Sequence, residues 1–221
     1  MQFKKETYSS KAAEYIRSLI RSGDLLPGQP VREALISDQL NISRAPIREA
    51  LLILAQEGLI CSEPQKGKYV RSMSAQEIYD SYAVAGILEG AGVVQSIAHW
   101  GDREEAAFED VVYRLDQQVN YAVSLDTLAE IDELFHATLL SACLNKHLIH
   151  LAHSSSSSLA KFLYYHYWRT MFTPQEFRER HHLIASAVRS RDMVRIEHSL
   201  RQHYEEVGIR LCELVHENQL I

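Results

Sequence analysis

Beyond Met73 the chain reads as helix and little else. Apolar residues recur there at 3.6-residue spacing over about 75–99, 103–122, 125–142, 146–170, 174–190 and 192–217, and no stretch alternates as a half-buried strand does. This pattern predicts an all-helical bundle of about six helices. The run Ser154–Ser158 lies between apolar flanks, so it is expected to form a polar helix face rather than a linker.

The first 73 residues are punctuated differently. Ala12, Ile16, Leu19 and Ile20 recur at helical spacing, with Ser9 or Ser10 placed to cap the start and Gly23 to end it. Pro27-Gly28 marks a turn before a short second helix over 34–40. Asn41-Ile42 then separates it from a third helix, capped by Ser43 and carrying Pro46 in its first turn, where a missing N–H costs little. Gly58 stops that helix, and the strand-like runs Leu59–Cys61 and Tyr69–Arg71 follow, joined through Pro64 and Gly67. Three helices and a hairpin outline a winged helix-turn-helix. The expected fold is mainly α, with a winged helix-turn-helix over 1–73 and an all-helical bundle over 74–221.

The net charge of −6 is unevenly shared between these parts. Residues 1–73 hold 11 Lys and Arg against 8 Asp and Glu, a net of +3, whereas the remainder holds 12 against 21, a net of −9. All 11 histidines lie in the acidic part, from His99 to His216. Cys61, Cys143 and Cys212 are odd in number and far apart, which excludes a disulfide framework, and no CxxC pair suggests a zinc knuckle. No apolar run approaches the roughly 20 residues that span a bilayer, so a cytoplasmic protein without membrane contact is expected.

Arg44 and Arg48 stand one turn apart at the start of the third helix. A helix N-terminus already favours phosphate through its free N–H groups, and arginine grips phosphates or a guanine edge. Lys66 and Lys68 bracket Gly67 in the hairpin, suited to tracking an adjacent DNA backbone. Taken singly these would be solvated surface charges; the order of elements around them makes double-stranded DNA the expected partner.

In the bundle, Asp132 and His136 are four apart, at the edge of a face made by Leu128, Ile131, Phe135 and Leu139. Phe177, His181, Ile184 and Val188 form one stripe, with His182 turned about 100° away. Ile196, Leu200, His203, Val207 and Leu214 form another. Three imidazoles and one carboxylate suit a divalent transition metal such as zinc or nickel. The same positions are equally consistent with hydrogen-bonded core histidines.

LPGQPVREALISDQLNISRAPIREALLILAQEGLI followed by PQKGKYV resembles the DNA-binding domain of the GntR superfamily of bacterial transcription regulators. IDELFHATLLSACLN and HHLIASAVRSRDMVRIEHSLRQHY resemble segments of the FCD domain, the effector-binding helical bundle of the FadR subfamily, in its shorter six-helix VanR-like variety. The resemblance implies DNA contacts from Arg32, Ser43, Arg44, Pro46, Arg48, Lys66, Gly67 and Lys68. It likewise implies a metal held by Asp132, His136, His181 and His203, since alignment on Asp192 selects His181 over His182 and His203 over His198.

Three departures from the family pattern stand out. Ala34 replaces a frequently basic position, and Asn41 replaces the usual turn glycine, where asparagine tolerates the left-handed conformation. The family's R..LE reads Ala85-Gly86-Ile87-Leu88-Glu89 here, without the arginine that could hold a carboxylate effector. Tyr82, Tyr165, Trp168 and Arg169 are the candidates to anchor an effector instead, although bundle packing accounts for them as well. The implied function is a transcriptional repressor rather than an enzyme, a homodimer on a pseudo-palindromic operator whose affinity is set by a small organic acid at the metal site. The alternatives are a metal-dependent hydrolase or oxygenase with an accessory winged helix, and a regulator whose metal is structural or is itself the signal.

Overall fold

The computed structural model describes residues 7–63, 67–120, 125–154 and 156–219. They divide into two compact units: Met1–Ser74 with Leu159–His166, and Ala75–Ser158 with Tyr167–Ile221.

The first unit opens with α1 (Tyr8–Ser22), whose N-cap is Thr7 rather than Ser9 or Ser10. Thr7 accepts from the Ser10 backbone N–H while the Ser10 hydroxyl accepts from Thr7, a reciprocal cap that leaves Ser9 free to be buried. Gly23, at φ 88°, closes the helix in the left-handed conformation. α2 (Glu33–Leu40) ends at Asn41, also left-handed at φ 51°, and α3 (Arg44–Gln56) follows from Ser43. Ala12, Ile16 and Ile20 of α1 meet Ile47, Ala50, Leu51 and Leu54 of α3, all fully buried, so the apolar stripes read from the sequence are the core of this unit.

The hairpin is β1 (Ile60–Glu63) and β2 (Gly67–Val70), antiparallel with Ile60 opposite Val70 and Glu63 opposite Gly67. Both strands are displaced from the expected spans by one or two residues towards the hairpin tip. Arg71 N–H still donates to Leu59 O at 2.8 Å beyond the ladder, and on its other edge β2 meets a third segment, with Val70 N–H donating to Gln29 O at 3.0 Å and Val31 N–H to Lys68 O at 2.8 Å.

Leu159–His166 is also part of this unit. The Tyr164 ring is buried and its hydroxyl accepts from Met73 N–H at 2.9 Å. Leu159 lies near Gly58, His166 against Gly23, and the Arg21 guanidinium stands 4.4 Å over the Tyr165 ring.

The second unit holds α4 (Ala75–Ile97), α5 (Asp102–Asn120), α6 (Leu125–Leu139), α7 (Lys146–His153), α10 (Pro174–Ser190) and α11 (Met193–Gln219). The periodic stretch 146–170 is not one helix but three: α7, then α8 (Ser156–Leu163) and α9 (Tyr165–Trp168). Ser154 ends α7, its hydroxyl donating back to His150 O at 2.6 Å, the local competition with the helix that serine makes near an end. Part of the expected Ser154–Ser158 face lies outside the described residues.

α4 and α11 form the closest helix pair, because small residues let their backbones meet. A Cβ on Gly86 would stand 3.1 Å from both Arg201 Cα and Tyr204 Cβ, and one on Gly208 would stand 3.1 Å from Tyr82 Cβ. In an open helix Gly→Ala gains about 1 kcal/mol. At Gly86 the added methyl presses on helix backbone, and overpacking costs about 1–3 kcal/mol. Gly86→Ala is therefore expected to lower the melting temperature, measured by circular dichroism; an unchanged or raised value would show that the pair yields easily.

Candidate metal centre

α6, α10 and α11 bring Asp132, His136, His181 and His203 together, with one ligand-type atom from each lying within 4.8 Å of the others. Four donors around one zinc-like ion, each at about 2.1 Å, lie at most about 4.2 Å apart. Tetrahedral donors at that length lie about 3.4 Å apart, so the widest pair would close by at most about 1.4 Å to share an ion. Asp132 and His136 are one helical turn apart on α6, and His181 and His203 occupy the inward stripes of α10 and α11. The α11 stripe continues through Leu211 and Val215, with Leu214 only half-buried. His182, one residue on, is half-buried and pairs with Asp116 at 2.8 Å.

The hydrogen bonds fix which ring atoms face inward. His181 Nδ1 lies 2.7 Å from Phe177 O, and a carbonyl can only accept, so Nδ1 carries the proton. Burial pushes the His181 pKa below its ordinary value, opposed by Asp132, which favours the neutral ring with a lone pair on Nε2. That lone pair faces Asp132 Oδ1 at 3.2 Å. Two acceptors so close repel unless a cation or proton lies between them. His136 repeats the arrangement, donating from Nδ1 to Glu89 and turning Nε2 towards Asp132 Oδ1 at 3.8 Å.

His203 is buried, and its Nδ1 has no hydrogen-bond partner among the described residues. Burial, then the Arg180 charge, hold its pKa well below the ordinary histidine value, which keeps it in the neutral, ligating form. Arg180 is itself buried, donates to His203 O at 2.7 Å and pairs with Glu206 at 2.7 Å. Phe135, fully buried, sets its ring edge-on to His136 and His181 at 5.6 and 5.0 Å. The donor chemistry, the lone pairs aimed at one another and the orphaned ring nitrogen fit a divalent transition metal.

Of the four effector candidates, Tyr82 alone adjoins this centre among the contacts described. It is buried on α4, its hydroxyl has no hydrogen-bond partner among the described residues, and burial together with the Asp132 charge raises its pKa far above the ordinary phenol value. Tyr165 belongs to the first unit, Trp168 is buried at the end of α9, and Arg169 is exposed. A cavity of about 520 Å³ between α10 and α11 is lined by Arg180, Gln202, His203 and Glu206 among others, which gives the centre an outward face.

The sequence reading missed Glu89, Tyr204 and Arg180. Glu89 had a signal, as the one charged residue between Asp80 and His99. A lone carboxylate in such a stretch is either functional or costly.

In the first unit, Arg32, Ser43 and Arg44 are exposed at the starts of α2 and α3, and neither Arg32 nor Ser43 uses its side chain as a cap. Pro46 is half-buried in the first turn of α3. Arg48 is exposed, and its Nε donates to Glu33 Oε2 at 2.9 Å. An ion pair this open is worth at most about 1 kcal/mol, so a phosphate or base could displace it. Gly67 begins β2 at φ 88°, Lys68 is half-buried, and Lys66 lies outside the described residues.

Residues 8–70 match the family of bacterial regulatory proteins called gntR, and residues 80–206 match the FCD domain. The chain is 29% identical over 203 residues to the HTH-type transcriptional repressor RspR of Escherichia coli, covering 88% of this chain and 84% of that protein. It is 30% identical over 133 residues to the Nta operon transcriptional regulator of Aminobacter aminovorans, covering 60% of this chain and 62% of that protein. Among solved structures, E. coli McbR/YncC shares the fold at a TM-score of 0.69 and 18% identity, over 95% of this chain and 99% of that one. A winged helix-turn-helix followed by an FCD bundle, matched along nearly the whole chain, makes this protein a member of the GntR family of transcriptional regulators, not an enzyme.

Proposed function

We propose that this protein is a repressor that acts in the cytoplasm as a homodimer on a pseudo-palindromic operator. In this reading Arg32, Ser43, Arg44, Pro46 and Arg48 face the major groove, and Lys66, Gly67 and Lys68 of the wing follow the adjacent backbone. One recognition helix reads too few base pairs alone, and a two-fold pair doubles the site. RspR, a named repressor, supports the sign of regulation. No helix among the described residues is long and apolar enough to cross a membrane.

Asp132, His136, His181 and His203 would hold a divalent transition metal, which would supply a Lewis-acid position for a small organic acid. The chain's own contribution is to favour neutral rings at buried His181 and His203 and, with His136, to aim three imidazoles inward. The observation that carries this reading is the His181 Nε2 lone pair facing Asp132 Oδ1 at 3.2 Å. A second reading, a metal that is structural or is itself the signal, draws support from the complete burial of His181.

Gel shifts on a bound genomic site at physiological salt separate the two. Under the first reading, chelator-treated protein given back zinc or nickel responds to a panel of small carboxylates by a 5–150-fold change in operator affinity, the range of ordinary allosteric coupling. A change with metal alone supports the second reading. No operator binding under any condition sinks both.

A further inference from the structure

Glu89 is the one carboxylate on the middle of α4, 5% exposed in an otherwise uncharged stretch. A carboxylate taken out of water is tolerated only where its lone pairs are bonded. Both oxygens are engaged: Oε1 accepts from His136 Nδ1, and Oε2 accepts from the Tyr204 hydroxyl. The two donors arrive on different helices, His136 from α6 and Tyr204 from α11, where it directly follows His203. The position of Glu89 is fixed in turn by the backbone contact of α4 with α11 at Gly86 and Gly90, where a Cβ would meet Arg201 and Glu197.

Glu89 stands behind His136, at the opposite ring nitrogen from the one that faces Asp132. It is therefore not a member of the ligand cluster. We propose that Glu89 is a positioning residue of the metal centre: acting through His136, it fixes the tautomer and ring direction and raises the basicity of Nε2, while Tyr204 holds its second oxygen in place. Outer carboxylates on ligating histidines act in this way. With Asp132 it also brings two negative charges to the centre, the match for a divalent ion. The inference rests on the reading that Asp132, His136, His181 and His203 hold a metal.

Cobalt(II) is the probe, with affinity read by competition against a coloured chelator and ligand geometry by the visible absorption bands. Glu89→Gln keeps an acceptor of the same shape and removes the charge. It is expected to weaken cobalt affinity about 10–100-fold and to shift the bands, while the melting temperature of the chelator-treated protein stays near the parent's. Tyr204→Phe is expected to weaken affinity by a smaller factor in the same direction, and it decides the matter if Glu89→Gln does not fold. Parent-like affinity and spectrum in the folded variants would overturn the inference and leave the metal reading standing. A parent that takes up no cobalt would overturn both.

Discussion

Alanine at both Asp132 and His136 will leave a protein without bound metal, against about one divalent ion per chain in the parent, when both are purified without a metal-affinity tag and measured by elemental analysis. The size of the effect follows from ligand number. Zinc sites with four protein ligands bind with about 10–16 kcal/mol, and the variant keeps only two of the four donors, on separate helices. The loss should reappear as stability. A ligand present at a thousand times its Kd stabilises the folded state by about 4 kcal/mol, so the rise in melting temperature on adding zinc or nickel to the parent should vanish in the variant. Chelator-treated variant should melt somewhat below chelator-treated parent, because losing His136 strips buried Glu89 Oε1 of its donor, so the rise on adding metal, and not the starting value, is the readout. Metal retained by the variant would move the site elsewhere, and an empty parent that resists loading would make the four residues core packing.

The second large effect belongs to the head. Arg44 is exposed on the first turn of α3, so under the proposed reading Arg44→Ala is expected to cost about 1–3 kcal/mol in operator affinity and to relax preference at one base position. Lys68→Ala should differ in kind: it should weaken operator and random DNA alike and lower the slope of log affinity against log salt by about 1. Titrations of operator and scrambled duplex across a salt series read both. Operator affinity unchanged in Arg44→Ala would remove that residue from the reading surface.

Much of the head was legible because its boundaries are set by residues with little conformational choice. Gly23 and Asn41 do end their helices in the left-handed conformation, and Gly58 at φ 78° follows α3. Periodicity also separated buried His181 from half-buried His182, since a rotation of about 100° per residue is enough to turn one ring out of the core. What stayed hidden depends on partners distant in sequence. Periodicity along one helix cannot see that Glu89 lies behind His136, 47 residues on. Nor does it show that 146–170 breaks after His153, since the residues beyond Ser154 keep a helical apolar spacing while α8 packs with another unit. The cap at Thr7 was missed for a smaller reason: Thr7, Ser9 and Ser10 lie within four residues and each could cap, and the reciprocal bonds of Thr7 with Ser10 together with burial of Ser9 decide among them.

Leu159–His166 has a consequence for how the protein is made. The DNA-binding unit is begun first on the ribosome, yet the Tyr164 side chain that Met73 bonds on both its N–H and its carbonyl is encoded far downstream, after α6 and before α10. Domains generally fold as units in order of synthesis. Here the head emerges first but is complete only after α6 and α7 have been made, when Asp132 and His136 of the proposed metal set are already in the chain.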